Sequence, residues 1–178
     1  VPPPPPLMPG TVFVGSVTEL RAAYADPTVS RIYVLAGAYT VEYPQYSTCT
    51  SSTCNGATDA IVLGRSLSIE AYGGDVNFSP RVCPYSSSGT SCFPTSDFLS
   101  IRTTVNGTLQ LVGLTFTGFR YGSSSQPLAI SGEGRAEITD CTFLSNMKGA
   151  TVAGTVFVTR CSFLYQQMEA LTTSGPYL

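Results

Sequence analysis

Histidine and tryptophan are absent from this chain of 178 residues, lysine occurs once, at Lys148, and charged residues make up only 11%. Without histidine the commonest general base and a frequent metal ligand are both missing. With a net charge of −2 and no basic cluster, the footprint of a nucleic-acid or anionic-membrane partner is missing too. No apolar run reaches membrane-spanning length, so insertion into a bilayer is not expected. The chain does not open on a secretory signal, and secretion would then imply one removed ahead of Val1. Glycine (17), tyrosine (10), serine and threonine are abundant, which suits turns, strands and a hydroxyl-rich surface. The length fits one domain with a continuous core.

One motif is written three times: Gly107-Thr-Leu-Gln-Leu-Val-Gly-Leu-Thr-Phe116, Gly134-Arg-Ala-Glu-Ile-Thr-Asp-Cys-Thr-Phe143 and Gly154-Thr-Val-Phe-Val-Thr-Arg-Cys-Ser-Phe163. From each first glycine the apolar positions fall at offsets 2, 4, 7 and 9. They make four columns: Leu109/Ala136/Val156, Leu111/Ile138/Val158, Leu114/Cys141/Cys161 and Phe116/Phe143/Phe163. Alternation within each half predicts two short strands with one face buried. The step of three between them predicts a bend at Gly113, Asp140 and Arg160. Such a unit cannot bury its own inner face, so copies must stack, with like residues about 4.8 Å apart along parallel sheets. The expected object is a coil wound repeatedly around one hydrophobic axis.

The six cysteines include two close pairs in Ser/Thr-rich segments, Cys49 with Cys54 and Cys83 with Cys92. In a chain so poor in charge they read as disulfides formed in an oxidising compartment. The short ring closed by Cys49 and Cys54 limits its gain to about 2 kcal/mol. A zinc site is the rival, but no Cys-x-x-Cys is present, and no metal or other cofactor is expected. Cys141 and Cys161 share a column on adjacent copies. Their expected spacing lies within the range of a disulfide, the reading taken here, with two free thiols packed as small hydrophobes as its alternative.

In chain order, residues 1–10 carry five consecutive prolines, Pro2, Pro3, Pro4, Pro5 and Pro6, a polyproline II rod of about 15 Å. The rod serves either as a spacer or as an arm docked on a neighbouring molecule. Thr11-Val-Phe-Val14 reads as a strand, and Ser16-Val-Thr-Glu19 has capping-box spacing, with Glu19 reaching back to Ser16. The helix that follows, about 16–25, buries Val17, Leu20 and Tyr24 and ends at Asp26-Pro27. It is expected to act as a lid on the first coil. Ile32, Val34, Tyr39 and Val41 are the inward residues of that coil, around a bend at Gly37. Leu67, Ile69, Val76 and Phe78 belong to the next, so that Phe78 heads the phenylalanine column. Residues 98–101, 128–130 and 150–152 form the third side of successive coils. The irregular segments 43–59, 79–97 and 120–127 all emerge at one corner, whereas Ser145–Gly149 has no insertion. Coils therefore run from about 31 to 165. Residues 166–178 form a C-terminal cap or tail, with some helical character in Leu164–Leu171.

The Val-Thr-Glu-Leu helix, its short linker and the Ile-x-Val-x-x-Gly-x-Tyr strand resemble the N-terminal cap and first rung of pectin-lyase-like right-handed β-helices. The Asp-Cys-Thr-Phe and Arg-Cys-Ser-Phe repeats resemble those of extracellular β-helix proteins, among them green-algal surface proteins that join such domains to proline-rich rods. The likeness covers residues 11–165. It implies an all-β fold, a single-stranded right-handed parallel β-helix (solenoid) over residues 11–178, with a short N-terminal capping α-helix and an N-terminal polyproline II segment. It also implies secretion, hydroxylation of Pro2–Pro6 and O-linked glycans on them.

Enzymes of this fold cleave acidic polysaccharides with clustered aspartates and calcium, with aspartates and histidine, or with paired aspartates, glutamine and arginine. None of these sets is present here. The remaining candidates are Glu137, Asp140 and Arg160, read more simply as a solvated face residue and an Asp140–Arg160 ion pair between neighbouring coils. Two sequons occur, Asn106-Gly-Thr and Asn77-Phe-Ser, the second followed by Pro80. Tyr43, Tyr46, Tyr85 and Tyr121 lie in or beside the decorated corner, as sugar platforms, as polyproline contacts or as loop anchors. The expectation is a non-catalytic extracellular structural glycoprotein of a cell wall, matrix or appendage filament. Its expected partners are copies of itself or other surface glycoproteins, with covalent glycans and polysaccharide as further contacts. A carbohydrate-binding module and a polysaccharide lyase or hydrolase are the alternatives.

Overall fold

The computed structural model describes residues 8–41, 61–80, 99–119, 127–168 and 170–174. The elements in chain order are β1 (Thr11–Val14), α1 (Val17–Ala25), β2 (Arg31–Val41), β3 (Ile61–Leu63), β4 (Ser66–Pro80), β5 (Leu99–Thr103), β6 (Thr108–Val112), β7 (Leu114–Thr117), β8 (Leu128–Gly132), β9 (Arg135–Thr139), β10 (Thr142–Leu144), β11 (Ala150–Ala153), β12 (Thr155–Thr159), β13 (Ser162–Leu164) and β14 (Leu171–Ser174). The fold is mostly β, with one helix among the described residues, and every strand pair is parallel. Residues 1–7 of the proline arm, with Pro2–Pro6, and Cys49, Cys54, Cys83, Cys92 and the four loop tyrosines lie outside the described residues, as do residues 43–59, 81–97 and 120–126.

Helix α1 begins where its cap residues demand. The Ser16 side chain accepts a hydrogen bond from Glu19 N at 3.1 Å. Ser16 itself is extended (φ −150°, ψ 159°), and the Glu19 carboxylate accepts from Gly15 N at 2.7 Å, one residue upstream of the expected contact. Leu20 is buried, with Val17 and Tyr24 partly buried against the core. Arg65, at the entrance to β4, secures the far end of the helix. Its guanidinium donates to Asp26 O (2.6 Å), Tyr24 O (3.2 Å) and Val29 O (2.9 Å). A cation at helix carbonyls satisfies acceptors that the last turn leaves free. Arg65→Ala is expected to lower stability by about 2 kcal/mol. Arg65→Lys should restore only part of it, because one ammonium cannot span three diverging carbonyls. Denaturant unfolding of both variants checks this.

The nine-stranded sheet is organised on β4, whose 15 residues turn at Gly73 and Gly74. Its first half pairs with β6, followed by β9 and β12; its second half pairs with β7, followed by β10 and β13. Strand β2 runs along both halves with a bulge between Leu35 and Gly37, and β1 pairs with β2. The second sheet runs β14-β11-β8-β5-β3.

Register carries the repeat into space. Leu67, Leu109, Ala136 and Val156 are successive partners, as are Val12, Ile32, Ile69, Leu111, Ile138 and Val158. Tyr39, Phe78, Phe116, Phe143 and Phe163 form one column. Its ring centroids lie 5.2, 5.7, 5.2 and 4.7 Å apart, and the last three contacts are stacked. Phe78, Phe116 and Phe143 are fully buried, whereas Phe163, in the last copy, is only half-buried. In the second sheet Leu99, Leu128, Ala150 and Leu171 are partners, beside Ile61, Ile101, Ile130, Val152 and Thr173.

The C-terminal segment departs from expectation. Residues around Leu164–Leu171 form no helical lid; they turn a corner and enter β14, which pairs with β11. The corner repeats the one before it: Tyr165 and Ser145 share φ 56°, and Gln166 Nε2 donates to Phe143 O as Asn146 Nδ2 donates to Phe116 O. A ladder already built by the previous copy outweighs the modest helix preference of the segment.

Candidate functional site

The best-defined cluster of chemistry-bearing residues sits at the bend between β9 and β10 and its copy between β12 and β13. Gly113, Asp140 and Arg160 each adopt a left-handed conformation there, with φ of 70°, 54° and 52°. A single left-handed residue turns the strand sharply; glycine and aspartate tolerate that conformation better than arginine. Arg160 compensates through a two-point ion pair, Nε to Asp140 Oδ1 and Nη2 to Oδ2, both at 2.7 Å. Hydrogen bonding from Arg160 holds the Asp140 carboxyl below the usual carboxylate range. Both side chains are well exposed, so water and salt screen the pair. Glu137 has its own partners, Arg135 Nε at 2.6 Å and Gln110 Nε2 at 2.8 Å. A general acid needs a carboxyl raised toward neutrality, and Asp140 moves the opposite way.

Just inside this bend lie Cys141, buried, and Cys161, half-buried, both free thiols. The expected disulfide between them is therefore corrected. Parallel neighbours in register point their Cβ atoms the same way, about 4.8 Å apart, whereas a disulfide needs about 3.8 Å between Cβ atoms. Each thiol instead lies against backbone oxygens: Cys141 Sγ is 3.4 Å from Thr139 O and 3.7 Å from Leu111 O, and Cys161 Sγ is 3.4 Å from Ile138 O. The hydrogen bond that Cys141 shares with Cys161, helped by burial, pushes the Cys141 thiol well above its ordinary range. The same hydrogen bond lowers Cys161 to about 6. Iodoacetamide at pH 7 should label Cys161 well before Cys141, since the thiolate is the nucleophile and Cys161 is the more accessible. Peptide mapping of briefly labelled native protein checks the order, and equal labelling would contradict it.

Lowering Cys161 also sets a pH dependence. The folded thiolate exists above about pH 6, while the unfolded thiol ionises near its ordinary value of 9.0. Stability from Cys161 therefore grows as pH rises between these values and is lost as pH falls through the folded one. Cys141 works in the opposite sense above the ordinary thiol range, because the folded state keeps a proton that the unfolded state releases.

Asn146 escaped the sequence reading. It is fully buried; its Nδ2 donates to Phe116 O (3.1 Å) and its Oδ1 accepts from Phe119 N (3.0 Å). It closes a corner that the neighbouring strands cannot satisfy, and its position three residues after Phe143 was the available signal. Of the two sequons, Asn106 is exposed in the turn between β5 and β6, whereas Asn77 is half-buried in the middle of β4. A third feature lies on the outer face: a groove of about 310 Å³ lined by Arg31, Ser66, Ser68, Thr108 and Gln110. Nearby in the sheet, Phe13, Tyr33 and Tyr72 form a ring cluster with centroids 5.1 to 5.3 Å apart. Arg31 holds Glu70 at 3.3 Å.

No group of three or more metal-ligating side chains comes together among the described residues, and none of their helices is long and apolar enough to cross a membrane. Comparison of the chain with protein-family models, with curated proteins and with solved structures found no match.

Proposed function

We propose that this chain is a right-handed parallel β-helix of the extracellular green-algal type and a structural glycoprotein, a building block of a cell-surface matrix or appendage filament. One observation supports the reading above others: each motif copy lies in register on the copy before it, so that Tyr39 through Phe163 form one unbroken column. Side chains piled this way fill the interior and leave the outer faces and the two ends for contact. The exposed Asn106 turn suits a glycan, and residues 1–10 suit a rod that spaces or docks the domain. Electron microscopy of native material, with intact mass and glycan mapping, tests the proposal. Filaments or sheets together with mass added at Asn106 are the expected result; a monomer at high concentration with the bare sequence mass would overturn it.

The groove at Arg31, Ser68 and Gln110 favours a second reading, carbohydrate binding. Hydroxyls, amides and a guanidinium beside aromatic rings are the groups that sugars engage. A glycan array separates this reading from the first.

A further inference from the structure

We infer that two of the strands left at the edges of the nine-stranded sheet among the described residues, β12 and β1, are made for each other, so that β12 of one copy of this chain receives β1 of the next and the sheet continues head to tail. The inference rests on the assembly reading above and names the surface and the partner. Among the described residues β12 pairs only with β9, and β1 only with β2. An unpaired parallel edge is a row of backbone donors and acceptors that a further strand can complete; on β1 the Thr11 N–H already donates to Met8 O at 3.0 Å, which leaves the groups beyond it.

The occupant is written in the chain itself. Gly10-Thr-Val-Phe-Val14 and Gly154-Thr-Val-Phe-Val158 are the same five residues, one leading into each of these two edges. Laid residue on residue, Thr11 meets Thr155, Val12 meets Val156, Phe13 meets Phe157 and Val14 meets Val158. The two valines of each strand already face the core side: Val14 is buried, Val12 and Val156 pack against the core, and Val158 lies in the Ile138 column. The pairing thus keeps the inner face apolar, whereas a one-residue slip would turn every side chain over. Identical side chains stacked in register are the arrangement that parallel pairing favours.

The last motif copy carries the exposure such a contact would cover. Phe157 and Val158, both on β12, are exposed at 46 and 37%. On the outer face the Phe13 ring belongs to the Tyr33–Tyr72 cluster, and Phe157 lies 4.2 Å from the Arg135 guanidinium carbon. Placing Phe13 over Phe157 would continue that aromatic row. Because the two edges differ in place and all strands run parallel, the contact is heterologous, and stacking copy on copy along the sheet extends it as a filament unless the rotation between copies closes a ring.

Sedimentation velocity of the 178-residue chain over a range of concentrations tests it. The unaltered chain should grow with concentration. Phe157→Asp and Phe13→Asp should each weaken association by roughly tenfold or more, through a lost aromatic pair and a buried unpaired charge. An equimolar mixture of the two variants should form a dimer that grows no further, since one intact edge of each kind remains. Circular dichroism confirms that each variant is folded, and Thr11→Lys replaces Phe13→Asp where that variant unfolds. Growth unaffected by either substitution overturns this interface and leaves the assembly reading standing. Association of the unaltered chain lost to Phe157→Asp alone, with no dimer in the mixture, points to two β12 edges meeting back to back and also overturns it. No association of the unaltered chain at any concentration overturns both.

Discussion

Replacing Phe116 with alanine is expected to lower the stability of this chain by about 3–5 kcal/mol, the range found for truncating a fully buried aromatic side chain. Phe116 is wholly inaccessible and stacks on Phe78 at 5.7 Å and on Phe143 at 5.2 Å. Parallel backbone pairing fixes the spacing of the column from both sides, so neither ring can move in to fill the space, and the cavity remains. Phe163→Ala removes the same atoms from the last copy, where the ring is half-buried and has a partner only at Phe143 among the described residues. Its expected cost is about 1–2 kcal/mol, in proportion to the smaller area taken from water. Urea unfolding measures both, with a shifted midpoint at unchanged slope as the signature of a stability effect. Equal costs at the two positions, or a cost below about 1 kcal/mol for Phe116→Ala, would mean that the column is not a shared core.

The contrast between these two phenylalanines also explains which features were legible in the sequence. In-register parallel pairing turns a spacing along the chain into an alignment in space, so Leu109, Ala136 and Val156 could be matched without coordinates. The same logic found Phe78 despite the four extra residues that β4 carries at its bend, and it placed β8 and β11 side by side. What it could not supply was any interaction between a side chain and a distant backbone. Asn146 is buried because Phe116 O and Phe119 N need a partner, and Arg65 is placed by carbonyls at the end of α1. Neither need shows in a pattern of apolar residues. The Cys141–Cys161 reading failed for a finer reason: a shared column gives the separation of the backbones, but in a parallel pair the two side chains run alongside each other, near enough for the thiols to share a hydrogen bond and too far apart at Cβ for a disulfide. The C-terminal segment was misread because local helix preference was weighed without the ladder that β11 already offers to β14.

The chemistry was legible to a lesser degree. Asp140 and Arg160 were matched by their common place in the repeat, and they form the expected pair, 2.7 Å apart. The way Glu137 is shared between Arg135 and Gln110 needed the register of β6 against β9, which the repeat offsets contain but a search for catalytic residues does not look for.

Glycine at position 134 is the other site where a large loss is expected, for a reason opposite to that at Phe116: there is no room. A methyl group on its α-carbon would stand 2.4 Å from Gly107 O, 2.4 Å from Thr104 O and 2.6 Å from Thr103 Cβ. Two of these three are backbone atoms, so no side-chain rotation relieves the contact. Gly107 O also accepts the hydrogen bond from Arg135 N at 2.9 Å that ties one motif copy to the next, and moving it breaks that tie. Overpacking and a lost backbone hydrogen bond together predict a cost of about 3 kcal/mol for Gly134→Ala. Gly73→Ala is the control. Gly73 has a positive φ of 81° but open space around it, so the substitution carries only the left-handed strain, about 1–2 kcal/mol. Thermal unfolding of the two variants separates them: Gly134→Ala should lose clearly more than Gly73→Ala. The reverse order would mean that consecutive copies are not in backbone contact at this corner, and the close stacking from which the columns are built would fail with it.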